Sequence, residues 1–287
     1  MNNVLRTLIL NGQVSLTLID GTEIVKEGAK LHKLTLAATY VFGKALAVMT
    51  YMSACLKEES GEVSLSLKGN GMGGEIAVSG NRALRIRGYI ENTQLAGCED
   101  CETERCALGD NGSLTIIRDD GYNRPFIGAC AVPGFGGVDE AFEEYYRISE
   151  QLPTRIKSGV LFTENNEVAF AGAVVLQPLP FASDEVLDKV YEADLCELLS
   201  VVQAQGLTET AKRFDCEESV WDCREAAYRC NCSKHYLSRV LVSLGEESLR
   251  EIIREDGAAR IHCHYCNTDY EFTDADADKI FAHKKRD

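Results

Sequence analysis

Polar and apolar positions alternate along several short stretches of the first 180 residues. "QVSLTLI" places Val14, Leu16 and Leu18 on one side of an extended chain, and "EVSLSLK" does the same with Val63, Leu65 and Leu67. Successive side chains of a strand point to opposite faces, so a period of two predicts half-buried β-strands. "SLTIIRD" and "EVAFAGAVVL" read as further strands, whereas 34–57 and "VDEAFEEYYRISEQ" carry helical spacing. Strands with interspersed helices, and no regular strand–helix–strand rhythm, predict an α+β fold with a large mixed sheet and helix domain over 1–180.

The pattern changes at 181. Leu187, Val190, Tyr191, Leu195, Leu198, Leu199 and Val202 recur at helical spacing, with Ser183 placed to cap the start and Gly206 after the end. The opposite face is acidic, and a less regular stretch, "LTETAKRFDCEESVWDCREAAY", follows. Residues 181–226 therefore read as an amphipathic helical linker that must lean on something to bury its apolar stripe. Residues 227–287 read as a separate small module. Ser233 is placed to cap a helix carrying Leu237, Val240, Leu241 and Leu244, closed by Gly245. A second helix carries Leu249, Ile252 and Ile253 up to Gly257, "ARIHCHYCNTDYEFT" reads as strand, knuckle, strand, and Thr273 opens a last short helix. About 60 residues enclose little core, so such a module calls for a staple.

Charge and composition narrow the setting. The formal net charge is −15 over 287 residues, a field that repels nucleic acid and anionic membranes. The acid is concentrated at 181–225, with twelve Asp and Glu against four Lys and Arg, while 226–287 hold eleven against ten. The first twenty residues have no basic start, long apolar run or cleavage site, which predicts no signal peptide. The most apolar stretch, "LTLAATYVFGKALAVMTYMSACL", carries Lys44 and several small polar residues, and predicts a buried core helix rather than a membrane span. The twelve cysteines are thus expected in a reducing cytoplasm, where close pairs indicate metal or redox chemistry.

Four of them stand out. Cys230 and Cys232 form C-x-C, and after thirty residues Cys263 and Cys266 form C-x-x-C. Four thiolates complete a tetrahedral shell for one Zn²⁺. His262 and His264 flank the second pair, and a shell filled by four cysteines leaves them outside it. A disulfide within C-x-C closes so small a ring that it should be strained and readily reduced. Metal-held thiolates are the form that oxidants attack, and structural zinc binding is itself folding free energy. An oxidant would therefore remove the ligands and melt the module, a reversible switch whose output these residues do not specify.

The segment "RCNCSKHYLSRVLVSLGEESLREIIREDGAARIHCHYCNTDYEFT" resembles the zinc-binding end of the heat-shock protein 33 family, the redox-regulated holdase chaperones of bacteria. "IRGYIEN", "GSLTIIRDDG" and "EEYYRISEQLPTRIKSGVL" resemble that family's N-terminal domain. The resemblance implies a chaperone core at 1–180, a redox-labile linker at 181–226 and a zinc-binding switch at 227–287. It implies an inactive reduced monomer with zinc on Cys230, Cys232, Cys263 and Cys266. It further implies that oxidation forms the disulfides Cys230–Cys232 and Cys263–Cys266, releases zinc, unfolds module and linker, and yields a homodimer that holds unfolding client proteins without ATP. No G-x-x-x-x-G-K-[ST] occurs, as expected of a non-enzymatic, nucleotide-free chaperone.

Cys98, Cys101 and Cys106 in "GCEDCETERC", and Cys216 and Cys223 in the linker, depart from that pattern. They read as incidental thiols, with a second metal or redox pair as the alternative. A thiol–disulfide oxidoreductase using Cys263 and Cys266 would need an exposed thiol at a helix start, which a knuckle does not offer. A zinc ribbon that binds nucleic acid would need a basic, aromatic-studded face, and the tail "HKKRD" is too short to supply one. "KGNGMGGEI" lacks the lysine of a phosphate cradle and predicts a turn. Ser149 and Glu150 in "SEQLP" have no histidine partner and mark a helix end before Pro153.

Overall fold

The alternating stretches form the strands of two sheets. β1 (Val4–Ile9) and β2 (Val14–Asp20) precede the helices α1 (Thr22–His32) and α2 (Leu36–Ala54). β3 (Glu62–Gly69), β4 (Glu75–Asn81) and β5 (Arg85–Ile90) are followed by the short α3 (Thr103–Leu108). Next come β6 (Asn111–Asp119), β7 (Phe126–Pro133), α4 (Val138–Tyr145), β8 (Arg155–Phe162) and β9 (Val168–Pro178). Helices α5 (Asp184–Glu192) and α6 (Leu195–Ala211) lead to the short strands β10 (Asp222–Arg224) and β11 (Ala227–Tyr228). This computed structural model describes residues 2–96, 103–133, 136–214 and 220–282. The chain divides into two units, Met1–Tyr228 and Arg229–Asp287.

The first unit is α+β, as the sequence predicts. Its five-stranded sheet runs β10-β1-β2-β9-β8 and its six-stranded sheet runs β11-β5-β4-β3-β6-β7. Val63, Leu65 and Leu67 on β3 are buried while the residues between them are not, so the period-two reading holds there. β2 differs. Ser15 and Thr17, between the three apolar positions, are buried as well, because both faces of this strand are covered. One face meets α2, which packs against strands of both sheets and is buried all round except at Leu36 and Tyr40. A helix apolar on every side belongs in a core, and among the described residues no helix is long and apolar enough to cross a membrane.

The other face of the five-stranded sheet carries Val14, Leu16 and Leu18 with Leu5, Ile9, Phe170, Val174 and Leu176, and these pack with Val186, Val190, Leu195 and Val202 of α5 and α6. The amphipathic segment therefore leans on this sheet. It is not one helix, however. Ala193 is extended, and Asp194 restarts the chain by accepting a 3.0 Å hydrogen bond from the Glu197 N–H. Gly206, at φ +83°, lies at a kink within α6 instead of after its end, and Tyr191 is exposed rather than part of the stripe.

Lys44 explains its own presence in the apolar helix. It is 2 % exposed, and its Nζ lies 2.6 Å from Glu104 Oε2 and 3.1 Å from Asp139 Oδ2. Asp139 also accepts from the backbone N–H and hydroxyl of Ser158, and Glu104 accepts from the Val138 N–H at 2.8 Å. Burial disfavours the charged ammonium, but Asp139 and Glu104 outweigh it, so the Lys44 pKa is raised. Burial also raises the pKa of Glu104, against the pull of Lys44. The network ties α2, α3, α4 and β8 together. The glycine-rich stretch after β3 is a turn. A Cβ at Gly71 would stand 2.5 Å from both Ala107 O and Gly109 N, so the loop can lie against the end of α3 only with glycine there. The helix of "VDEAFEEYYRISEQ" widens at Tyr146–Glu150 and stops at Gln151, two residues before Pro153.

The second unit contains α7 (Lys234–Leu244), α8 (Glu246–Asp256), a hairpin of β12 (Ala259–Cys263) and β13 (Thr268–Phe272), and α9 (Asp274–Ala282). Ser233 Oγ caps α7 by accepting from the Tyr236 N–H at 3.0 Å. Gly245 and Gly257, both at positive φ, turn the chain after α7 and α8, positions where a side chain would be strained. The core is Leu241, Leu249, Ile253, Ala259, Phe272, Ala277 and Phe281, with Leu237, Ile252, Ile261, Tyr270 and Ile280 packed partly against it. Val240 and Leu244, placed on the apolar stripe by their spacing, are about half exposed. This core is small for a folded unit.

Candidate metal centre

Two backbone features bring the four sulfurs together. The extended segment before α7 carries Cys230 and Cys232, and the Cys232 N–H donates to Cys230 Sγ at 3.5 Å. The hairpin turn carries the second pair. The Cys266 N–H donates to the Cys263 carbonyl at 3.3 Å, and Asn267 takes a positive φ, as asparagine tolerates. Cys230 Sγ lies 3.8 Å from Cys263 Sγ, and Cys232 Sγ lies 3.0 Å from Cys266 Sγ. All four sulfurs lie within 4.8 Å of one another, and all four residues are partly buried.

The 3.8 Å pair matches the edge of a tetrahedral metal shell, and the 3.0 Å pair is tighter than one. A tetrahedral shell with metal–sulfur bonds of about 2.3 Å has sulfur–sulfur edges of about 3.8 Å. The donor set is sulfur only, which favours zinc over the hard cations that take oxygen ligands. Among the described residues, these cysteines are the one group of Cys, His, Asp and Glu side chains close enough to hold an ion. His262 and His264 stand beside it. His262 Nδ1 makes a 2.8 Å contact with Asp269 Oδ1 across the hairpin, and the His264 ring meets the His262 ring edge-on, 4.9 Å between centroids.

The sulfurs are electrostatically unequal. Burial raises the thiol pKa of Cys230 well above its ordinary value and pushes that of Cys266 up to about 11. Burial acts in the same direction on Cys232, but hydrogen bonds with Cys266 and Tyr270, followed by the other two cysteines, outweigh it and lower the thiol to about 7. Cys232 is thus the most readily ionised of these three.

Tyr270 went unnoticed in the sequence. Its hydroxyl oxygen lies 3.2 Å from Cys232 Sγ, while its ring packs against the small core. The hairpin register pairs Ile261 with Tyr270 and Cys263 with Thr268. Tyr270 therefore shares a sheet face with Cys263, a relation that the alternation in "TDYEF" could have revealed. Of the other cysteines, Cys98, Cys101 and Cys216 lie outside the described residues. Cys106, in α3, is disulfide-bonded, so it is not the incidental thiol that its sequence context suggests. Cys223 is an exposed free thiol on β10, opposite Leu5 in register. No oxygen-rich or histidine-based cluster takes part among the described residues.

Comparison with known proteins decides the family. The model of the Hsp33 protein family matches residues 2–273. The chain belongs to the Hsp33 family. The 33 kDa chaperonin of Clostridium perfringens (strain SM101 / Type A) is 30% identical over 296 residues, covering 99% of this chain and 93% of that protein. The 33 kDa chaperonin of Clostridioides difficile (strain 630) is 30% identical over 280 residues, covering 94% and 95%. A crystal structure of the Hsp33 homologue from Thermotoga maritima superposes with a TM-score of 0.81 at 23% identity, covering 100% of this chain and 99% of that one. The mixed α+β architecture is therefore the family's.

Proposed function

We propose that this chain is a redox-regulated, ATP-independent holdase chaperone of the cytoplasm, non-enzymatic, with one Zn²⁺ bound by Cys230, Cys232, Cys263 and Cys266 in the reduced state. The observation that carries the reading is the four-sulfur cage in a unit of about 60 residues with little core of its own. Relatives named chaperonins along nearly the full length support the client-binding part. Bound zinc would keep all four sulfurs as thiolates and tie the segment before α7 to the hairpin turn.

On oxidation, one thiolate attacks a peroxide oxygen, the O–O bond breaks and a sulfenic acid forms with loss of hydroxide. The second thiolate of the pair then attacks that sulfur and displaces a second hydroxide. Each disulfide thus passes two electrons to one peroxide, and two disulfides consume two. We assign the pairs Cys230–Cys232 and Cys263–Cys266 on the family resemblance. The shorter contacts run between the pairs, but a tetrahedral cage makes all four sulfurs neighbours, so adjacency alone does not choose.

With its ligands converted to disulfides, the switch unit at 227–287 has no staple and unfolds, and the linker at 181–226 loosens with it. Loosening would uncover Val14, Leu16, Leu18, Val174 and Leu176 together with the apolar faces of α5 and α6. A continuous apolar surface of that kind binds unfolding proteins. The 1–180 domain serves as the core that carries it. The reduced protein is a monomer and the oxidised one a homodimer.

The test joins three readouts on full-length protein treated with peroxide under mild heating. Zinc appears in a chelating dye, light scattering by an aggregating client falls, and Trp221 emission moves to the red. Trp221 is the only tryptophan and packs with the cluster under the linker. All three changes should coincide without ATP and reverse with a thiol reductant. Equal client protection before and after oxidation contradicts the switch, and turnover in an insulin reduction assay would favour a thiol–disulfide oxidoreductase instead.

A further inference from the structure

We propose that the Tyr270 hydroxyl restrains the oxidant reactivity of the metal centre by donating a hydrogen bond to Cys232 Sγ, and so sets the peroxide level at which the switch opens. The inference rests on the reading above and deepens it.

The chemistry of a metal-held sulfur assigns the donor. The hydroxyl oxygen stands 3.2 Å from the sulfur, and a metal-held thiolate has no proton to give. The phenol must therefore donate. A donated proton draws charge from the sulfur and weakens it as a nucleophile toward peroxide. Groups that hydrogen-bond to metal ligands tune them in this way, and their removal typically changes metal-site properties by roughly 10- to 100-fold.

The placement of Tyr270 is held from two sides. Its ring packs against the core of Leu241, Leu249, Ile253 and Phe272. Its backbone lies on β13 opposite Ile261, two residues along β12 from Cys263. The hydroxyl is thus held at the cage by the same core that the cage stabilises. Thr268 Oγ1, also on the hairpin, lies beside Cys266 and donates to its carbonyl at 3.0 Å. Cys232, the sulfur that the Tyr270 hydroxyl reaches, belongs to the C-x-C pair.

The experiment compares full-length reduced protein with its Tyr270→Phe variant, which keeps the ring and loses the hydroxyl. Zinc release is timed twice: once with hydrogen peroxide, which must be attacked by sulfur, and once with a strong chelator under reducing conditions, which needs no such attack. Tyr270→Phe should release zinc to peroxide about tenfold faster, while release to the chelator changes by less than about threefold. In cobalt-substituted protein the sulfur-to-metal charge-transfer band should shift on the same substitution. Phe272→Leu, which loosens the core and leaves the hydroxyl, should speed both releases together. Equal peroxide rates in wild type and Tyr270→Phe overturn the proposal. So does a Tyr270→Phe effect of equal size on both releases, because that reports structural loosening. A wild-type protein that binds no zinc refutes the functional reading, whereas zinc release by peroxide at an unchanged rate in Tyr270→Phe refutes this inference alone.

Discussion

Replacing Cys266 with serine unfolds the terminal unit while leaving the two large sheets intact. A serine hydroxyl is a poor ligand at neutral pH, so three thiolates remain where the cage needs four. Structural zinc contributes about 10–16 kcal/mol of apparent folding free energy in small peptide sites. Among the described residues, the terminal core has seven buried apolar side chains, and a unit of that size is marginal without a staple. Losing most of the metal's contribution therefore takes the unit past its unfolding point. Hydrogen exchange on the reduced variant should show loss of protection across 229–282, retained protection in β2, β3, β4 and β9, and intermediate behaviour in α5 and α6. Native protection across the hairpin of β12 and β13 would show that the fold does not depend on the fourth thiolate.

Removing the Lys44 ammonium should destabilise the first unit strongly. Lys44→Met keeps the apolar stem but leaves the Glu104 and Asp139 carboxylates buried without their cation. Breaking a buried ion pair from one side typically costs about 3–5 kcal/mol. For a unit of this size each kcal/mol lowers Tm by about 2–4 °C, so Tm should fall by roughly 6–20 °C. The effect has a pH signature. Burial already raises the Glu104 pKa, and Lys44 is the main influence pulling it down. A carboxylate with a raised folded pKa binds protons more tightly when folded. The stability it removes is absent below the unfolded value of about 4 and grows as pH rises toward the folded one. Without Lys44 that folded value rises further, so the deficit relative to wild type should be small near pH 4 and largest near neutrality. Thermal melts across that range, with Lys44→Met/Glu104→Gln/Asp139→Asn recovering part of the loss, check both parts. A deficit under about 1 kcal/mol at pH 7 would mean that the carboxylates find other partners.

The sequence pattern made the terminal unit more legible than the first. There each local signal acts alone: Ser233 caps α7, Gly257 ends α8, and the C-x-x-C turn brings its two sulfurs together within four residues. In the first unit the decisive relations are long-range. Val14, Leu16 and Leu18 are buried because α5 and α6, more than 160 residues later, cover one side of the sheet, while Ser15 and Thr17 turn to the side that α2 fills. No pattern within β2 encodes that. The break between α5 and α6 was written locally, in Asp194 as a cap, but the continuous apolar stripe across it hid the signal. The Lys44 network draws on α2, α3, α4 and β8, and in the sequence Lys44 serves only to argue against a membrane span. Tyr270 lies between these cases. Strand alternation sets its side of the hairpin, whereas the reach of its hydroxyl to Cys232 depends on how the segment before α7 folds back.

One metal ion should hold the terminal unit together. The most direct measurement is metal content together with backbone order on the same reduced, full-length sample. Native mass spectrometry should find one zinc per chain. Hydrogen exchange should then show 229–282 protected as purified and exposed once the ion is stripped or the four thiols are oxidised. Protein with no stoichiometric metal, or a terminal unit that stays protected after stripping, would contradict the account.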